Sequence, residues 1–107
     1  MTKAFHRKGM AYSISKHFVM WYCKKMAAKF GEKAARIVSV SPGSFDTDMG
    51  RLEEKSGSAE MLKTAALKRF GKTEEIAELL AFCVSDKAGY LTGTDILCDG
   101  GVMASKG

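Results

Sequence analysis

Tyr12 and Lys16 stand four residues apart in the run A-Y-S-I-S-K, residues 11–16. On a helix that spacing puts the two side chains on one face. A phenol ionises at about pH 10 in water and exchanges protons poorly near neutrality. An ammonium within roughly 4–6 Å favours the phenolate and brings the group toward the working pH. A tyrosine tuned in this way is a fitting general acid/base for reducing a carbonyl or oxidising an alcohol. By itself the pair is a weak signal, because an exposed helical tyrosine beside a solvated lysine looks the same.

Other residue types with chemical potential fall into no such pattern. His6 and His17 have no partners at ligand spacing, so no metal site is expected. Ser39, Ser41 and Ser44 lack a G-x-S-x-G context, which argues against a nucleophilic serine. Cys23, Cys83 and Cys98 are odd in number and form no C-x-x-C pair, so neither a disulfide framework nor a zinc site is expected. Unbridged cysteines fit a reducing compartment.

The elements that must position Tyr12 and Lys16 follow from periodicity. Ile14, Phe18, Tyr22, Met26 and Phe30 recur every four residues, with Val19, Cys23 and Ala27 as a second apolar line. This predicts a helix over 11–30 that is buried against more than one neighbour. Gly31 is the expected stop, with Lys29 and Lys33 favouring the dipole there. R-I-V-S-V (36–40) is a strand signal that Pro42-Gly43 ends. Residues 44–60 read as a loop, and a short helix is expected between Ser58 and Leu67.

Thr73 is the expected N-cap of a further helix, with Glu74 and Glu75 in its first turn and Ile76, Leu80 and Cys83–Val84 on its buried face. Asp86–Gly89 closes that helix. Asp95–Cys98 reads as a second strand, ended by Asp99-Gly100-Gly101. Strands separated by helices imply parallel pairing and an α/β layer. Two parallel strands make a poor sheet, so it is expected to be completed by another chain or by a longer polypeptide.

A chain of 107 residues has the length of one small domain, and 46% hydrophobic with 27% charged residues is ordinary globular composition. Seventeen Lys and Arg against twelve Asp and Glu leave a net charge of +5. The basic run Lys24, Lys25, Lys29, Lys33 and Arg36 reads as a solvated helix face, since no nucleic-acid module accompanies it. The apolar run from Phe18 to Cys23 is too short to span a bilayer, and the first ten residues hold no signal-peptide core. A cytoplasmic protein with no membrane and no nucleic-acid partner is expected.

Four segments now stand in one order: AYSISK (11–16), RIVSVSPGSFDTDM (36–49), RFGKTEEIA (69–77) and SDKAGYLTGTDILCDGG (85–101). Together they resemble the C-terminal half of the short-chain dehydrogenase/reductase family, from about residue 10 to 101. The resemblance implies one partial Rossmann-like domain over 1–107, the C-terminal part of a doubly wound parallel sheet. It implies NAD or NADP as cofactor and a small ketone or secondary alcohol as substrate. Tyr12 corresponds to the catalytic acid/base. Lys16 corresponds to the residue that binds the nicotinamide ribose and lowers the tyrosine pKa. Pro42 and Gly43 correspond to the turn against the nicotinamide ring, Gly43 being small enough for close approach. Phe45, through its backbone, and Thr47, through its hydroxyl, match positions that hold the carboxamide. Residues 44–67 correspond to the substrate loop. Family members form dimers or tetramers, so a homo-oligomer through the 11–30 helix and the C-terminal region is expected.

Departures from the pattern define what this chain is expected to lack. Val38 replaces a frequent Asn, and Thr73 replaces a frequent Pro. No G-x-x-x-G-x-G turn is present to cradle a pyrophosphate. The residue that separates NAD from NADP and the family's catalytic serine both fall before Met1. The isolated chain is therefore expected to be inactive as a dehydrogenase. Two other readings stand beside this one. The chain could be a truncated relative that assembles or binds without catalysis, or a basic module whose binding to nucleic acid or an acidic protein weakens with salt.

Overall fold

Helix α1 runs Thr2–Glu32, starting upstream of Ala11 and passing through Gly31 instead of stopping there. In this computed structural model, residues 2–43, 45 and 59–106 are described, with side chains at 13–43, 45 and 62–105. The stop of α1 lies beyond Gly31 because its last carbonyls find partners one turn on. Ala35 N–H donates to Phe30 O at 2.9 Å, and Ala34 N–H donates to Gly31 O at 3.0 Å. This is a Schellman pattern, and its left-handed position falls on Ala34, φ 58°.

Strand β1 covers Val38–Pro42, shifted from the expected 36–40. Arg36 and Ile37 are bonded to the turn before the second strand. Arg36 Nη1 donates to Leu91 O at 3.2 Å, and Ile37 N–H donates to Thr92 Oγ1 at 3.0 Å. Ile37 O in turn accepts from Gly93 N–H at 2.7 Å. β1 pairs in parallel with β2, Thr94–Cys98, and these are the two strands of the sheet among the described residues.

Between them lie α2 (Ala59–Thr64), α3 (Thr73–Cys83) and a single 3₁₀ turn (Asp86–Ala88). α4 (Val102–Lys106) closes the order, a five-residue helix that the periodicity did not signal. The expected loop over 44–60 falls largely outside the described residues. α3 is capped one position earlier than expected: Lys72 is the N-cap and Thr73 the first helical residue. Glu75 ties this end, accepting from Lys72 N–H at 2.8 Å while its own N–H donates to Lys72 O at 2.9 Å.

The chain divides into two compact units, Met1–Ser39 with Tyr90–Asp95 and Val40–Gly89 with Ile96–Gly107. In the first unit Cys23 is buried, and its thiol donates to Ile37 O at 3.3 Å and Thr94 O at 3.5 Å. The Ser39 hydroxyl, also buried, donates to Asp95 Oδ1 at 2.6 Å. Ile14, Phe18, Val19, Trp21 and Tyr22 are exposed, so within this chain the apolar faces of α1 are largely uncovered. Phe18 lies against Trp21 and Tyr22, with ring centroids 5.7 and 6.0 Å apart. Lys24, Lys25, Lys29 and Lys33 are exposed, and Arg36 is half-buried.

In the second unit the core is Ala65, Cys83, Ala88 and Val102, with α2 packed on α4. Ile76 is half-buried, but Leu80 and Val84 are exposed, which corrects the expected buried face of α3. Val84 lies just past the last turn of that helix, so helical periodicity no longer governs which way it faces.

Candidate functional site

α1 carries Tyr12 and Lys16 on consecutive turns of unbroken helix, in the first compact unit. That is the geometry the i, i+4 spacing calls for. The Lys16 side chain is half-buried. The Tyr12 side chain lies outside the described ones. His17, the neighbour of Lys16, is exposed and sits 3.4 Å from the Ser13 hydroxyl through Nδ1.

Pro42, Gly43 and Phe45 belong to the second unit, where the chain leaves β1. Gly43 N–H donates to Cys98 O at 2.9 Å, extending the strand pairing by one rung. A Cβ on Gly43 would lie 2.7 Å from Asp99 Cα and 2.8 Å from Asp99 Cβ. The smallness of this residue, expected to serve an approaching ligand, is thus already required by the protein's own packing. Phe45 forms an isolated parallel bridge with Gly71, and a Cβ there would lie 2.5 Å from Phe45 Cε2. The ring therefore rests on the bare backbone of Gly71. Thr47 falls outside the described residues.

Phe45, Leu67, Gly71, Cys98, Asp99 and Gly100 line an open recess of about 100 Å³, with Arg69 and Glu75 also at its wall. Arg69 and Glu75 form a two-pronged ion pair, Nη1–Oε1 at 2.8 Å and Nη2–Oε2 at 3.0 Å. The guanidinium holds the Glu75 carboxyl down at about 2, helped by the Lys72 N–H, and the carboxylate raises the Arg69 pKa in return. Sequence reasoning quoted R-F-G-K and D-G-G as segments but gave Arg69, Gly71, Cys98 and Asp99 no place around Phe45. Their signal was only the two glycine-bearing turns, and the pairing across sequence distance was not legible.

Among the described residues no three His, Cys, Asp or Glu side chains are placed to hold a metal ion. Nor is any helix among them long and apolar enough to cross a membrane.

Residues 1–103 match the family profile described as enoyl-(acyl carrier protein) reductase. A short-chain dehydrogenase/reductase of Alternaria brassicicola is 35% identical over 98 residues, 88% of this chain and 36% of that protein. The chain belongs to the short-chain dehydrogenase/reductase family. Glucose 1-dehydrogenase 2 of Bacillus subtilis is 34% identical over 92 residues, covering 85% of this chain and 36% of that protein. The solved structure of a 4-hydroxyisoleucine dehydrogenase complexed with NADH superposes with a TM-score of 0.78 at 30% identity, covering 89% of this chain and 40% of that one. The two-stranded parallel α/β arrangement is accordingly part of a Rossmann-like fold. This short-chain dehydrogenase/reductase sequence spans 36% to 40% of the length of those proteins. The family uses NAD or NADP.

Proposed function

We propose that the chain forms the catalytic, C-terminal part of an NAD(P)(H)-dependent oxidoreductase that interconverts a ketone and a secondary alcohol. The observation that carries this reading is the continuous helix α1, which sets Tyr12 and Lys16 one turn apart on one side. In carbonyl reduction the Tyr12 hydroxyl gives its proton to the substrate oxygen as negative charge develops there. In alcohol oxidation the phenolate takes the hydroxyl proton. Lys16 favours the phenolate electrostatically and offers hydrogen bonds to the hydroxyls of a ribose.

On α1 an ammonium and a phenol are groups of the kind that hydrogen-bond a ribose; Pro42, Gly43 and Phe45 at the exit of β1 are assigned separately to the amide end. When bound, the nicotinamide supplies the acceptor or donor of the hydride. Phe45, through its backbone, and Thr47, through its hydroxyl, are assigned to the carboxamide. Residues 44–67 are assigned to substrate contact. The sequence holds no G-x-x-x-G-x-G turn for a pyrophosphate, so the 107 residues by themselves are proposed to turn over no substrate. A cytoplasmic homo-oligomer is part of the same reading.

The test is NADH and NADPH oxidation by the protein as its source makes it, over a panel of ketones. Tyr12→Phe removes the transferable proton and is expected to lower turnover by about 10²–10⁴-fold. Near-normal turnover in that variant sinks the assignment. A second reading, assembly without catalysis, is favoured by the exposed Ile14, Phe18, Trp21 and Tyr22 on α1. It predicts a stable complex with no NADH or NADPH oxidation in either the parent or Tyr12→Phe.

A further inference from the structure

We infer that Asp99 is a positioning residue for the exit of β1, holding Gly43 in the place that receives the nicotinamide end of the cofactor. The inference rests on the cofactor reading above and goes beyond it, since it assigns a role to a residue that touches neither cofactor nor substrate in that reading.

The Asp99 backbone is the wall behind Gly43. The separation of 2.7 Å between Asp99 Cα and a Cβ built on Gly43 leaves no room for even a methyl group between the two strand ends. The same turn is tied one residue back, where Gly43 N–H donates to Cys98 O at 2.9 Å. Whatever fixes the backbone at 98–99 therefore fixes Gly43.

Asp99 supplies that fixing with its own side chain. Oδ1 accepts from Gly101 N–H at 2.9 Å, and Oδ2 accepts from Met103 N–H at 3.0 Å. Both oxygens are thus spent on the start of α4 and on the turn that leads into it. That turn needs help: Gly100 and Gly101 hold φ 66° and 85°, and glycines are free to take many other conformations. The turn is seated further by Leu67 N–H donating to Gly100 O at 2.8 Å and by Gly101 lying against Ala66. Without the carboxylate, two consecutive glycines would follow the residue that backs Gly43, with the hydrogen bonds of Gly101 N–H and Met103 N–H both gone. Phe45 rests in turn on Gly71, so Gly43 and Phe45 are each held by a packing contact.

The experiment compares Asp99→Ala and Asp99→Asn with the protein as its source makes it, by two readouts. Amide hydrogen exchange reports the Gly43 N–H directly. NADH and NADPH titration, followed by steady-state kinetics, reports the cofactor. Asp99→Ala is expected to speed exchange at Gly43 by about tenfold or more, with amides of α1 unchanged. It is expected to raise the dinucleotide Kd and KM by about tenfold while kcat changes little. Asp99→Asn keeps one acceptor oxygen and should fall between, and it carries the test if Asp99→Ala does not fold. An unchanged Gly43 exchange rate overturns the inference. So does a loosened Gly43 with dinucleotide affinity equal to that of the parent. If the unsubstituted protein binds neither NADH nor NADPH, the cofactor reading itself fails before any variant is made, and this inference falls with it.

Discussion

A left-handed backbone costs a residue with a Cβ about 1–2 kcal/mol, and Ala34 holds φ 58° at the end of α1. Gly31, which sits inside the helix, has nothing within 4 Å of where its Cβ would be. The two small residues thus stand in each other's preferred places. Ala34→Gly relieves the strain, and the extra freedom of glycine in the unfolded chain takes back about 0.4–1 kcal/mol. A net gain of about 0.5–1 kcal/mol is expected. Gly31→Ala should add about 0.5–1 kcal/mol by the opposite logic, because a helix interior favours alanine. Urea midpoints of the single and double variants check both, and a loss of stability in either refutes its argument. Gly31 misled the sequence reading for the same reason: glycine near a helix end signals a stop only if the backbone turns left-handed there. The Tyr12–Lys16 spacing, by contrast, was legible because it depends on neighbours within one helix.

At the scale of elements, α3 owes its start to a charged side chain acting through the backbone. Glu75 receives two hydrogen bonds from Arg69 and one from Lys72 N–H, and its pKa is held down at about 2 from an ordinary 4.5. A carboxyl depressed on folding stabilises the folded form fully above its unfolded pKa. That contribution is lost as pH falls through the folded value. The N-terminal turn of α3 should therefore keep its protection down to about pH 4.5 and lose it progressively toward about pH 2. Amide exchange at Lys72 against pH checks this. Glu75→Gln should flatten that dependence. A midpoint near 4.5 in the parent protein would remove the Arg69 contribution. The existence and type of α1, β1, α3 and β2 were readable because each is set by local pattern. The register of β1 was not, since Arg36 and Ile37 are bonded to the turn at 91–93, far away in sequence. Nor was the backing of Gly43 by Asp99, which joins two strand ends in space.

At the scale of the whole molecule, the apolar residues that are buried are small: Cys23, Ala65, Cys83, Ala88 and Val102 among those described. Several large ones on α1 face outward, with Ile14 at 64%, Phe18 at 58% and Trp21 at 56% of their full exposure, while Met20, Met26 and Phe30 are half-buried. Exposed apolar side chains grouped in this way, with Phe18 against Trp21 and Tyr22, favour contact with a second apolar surface. The helical period leads to the expectation that α1 is buried on more than one face, and among the described residues this chain does not supply that cover. At micromolar concentration the 107-residue chain is therefore expected to sediment well above the 11.6 kDa of a single copy. Phe18→Glu with Trp21→Glu places two like charges on that face and should return the chain to single-copy mass. The Cys23 amide, whose side chain is buried against Ile37 and Thr94, should stay protected in that variant, showing that the fold persists. A parent chain that sediments at single-copy mass across the concentration range would show that this face needs no cover. The exposed stripe would then be a property of the chain alone and not the trace of an assembly.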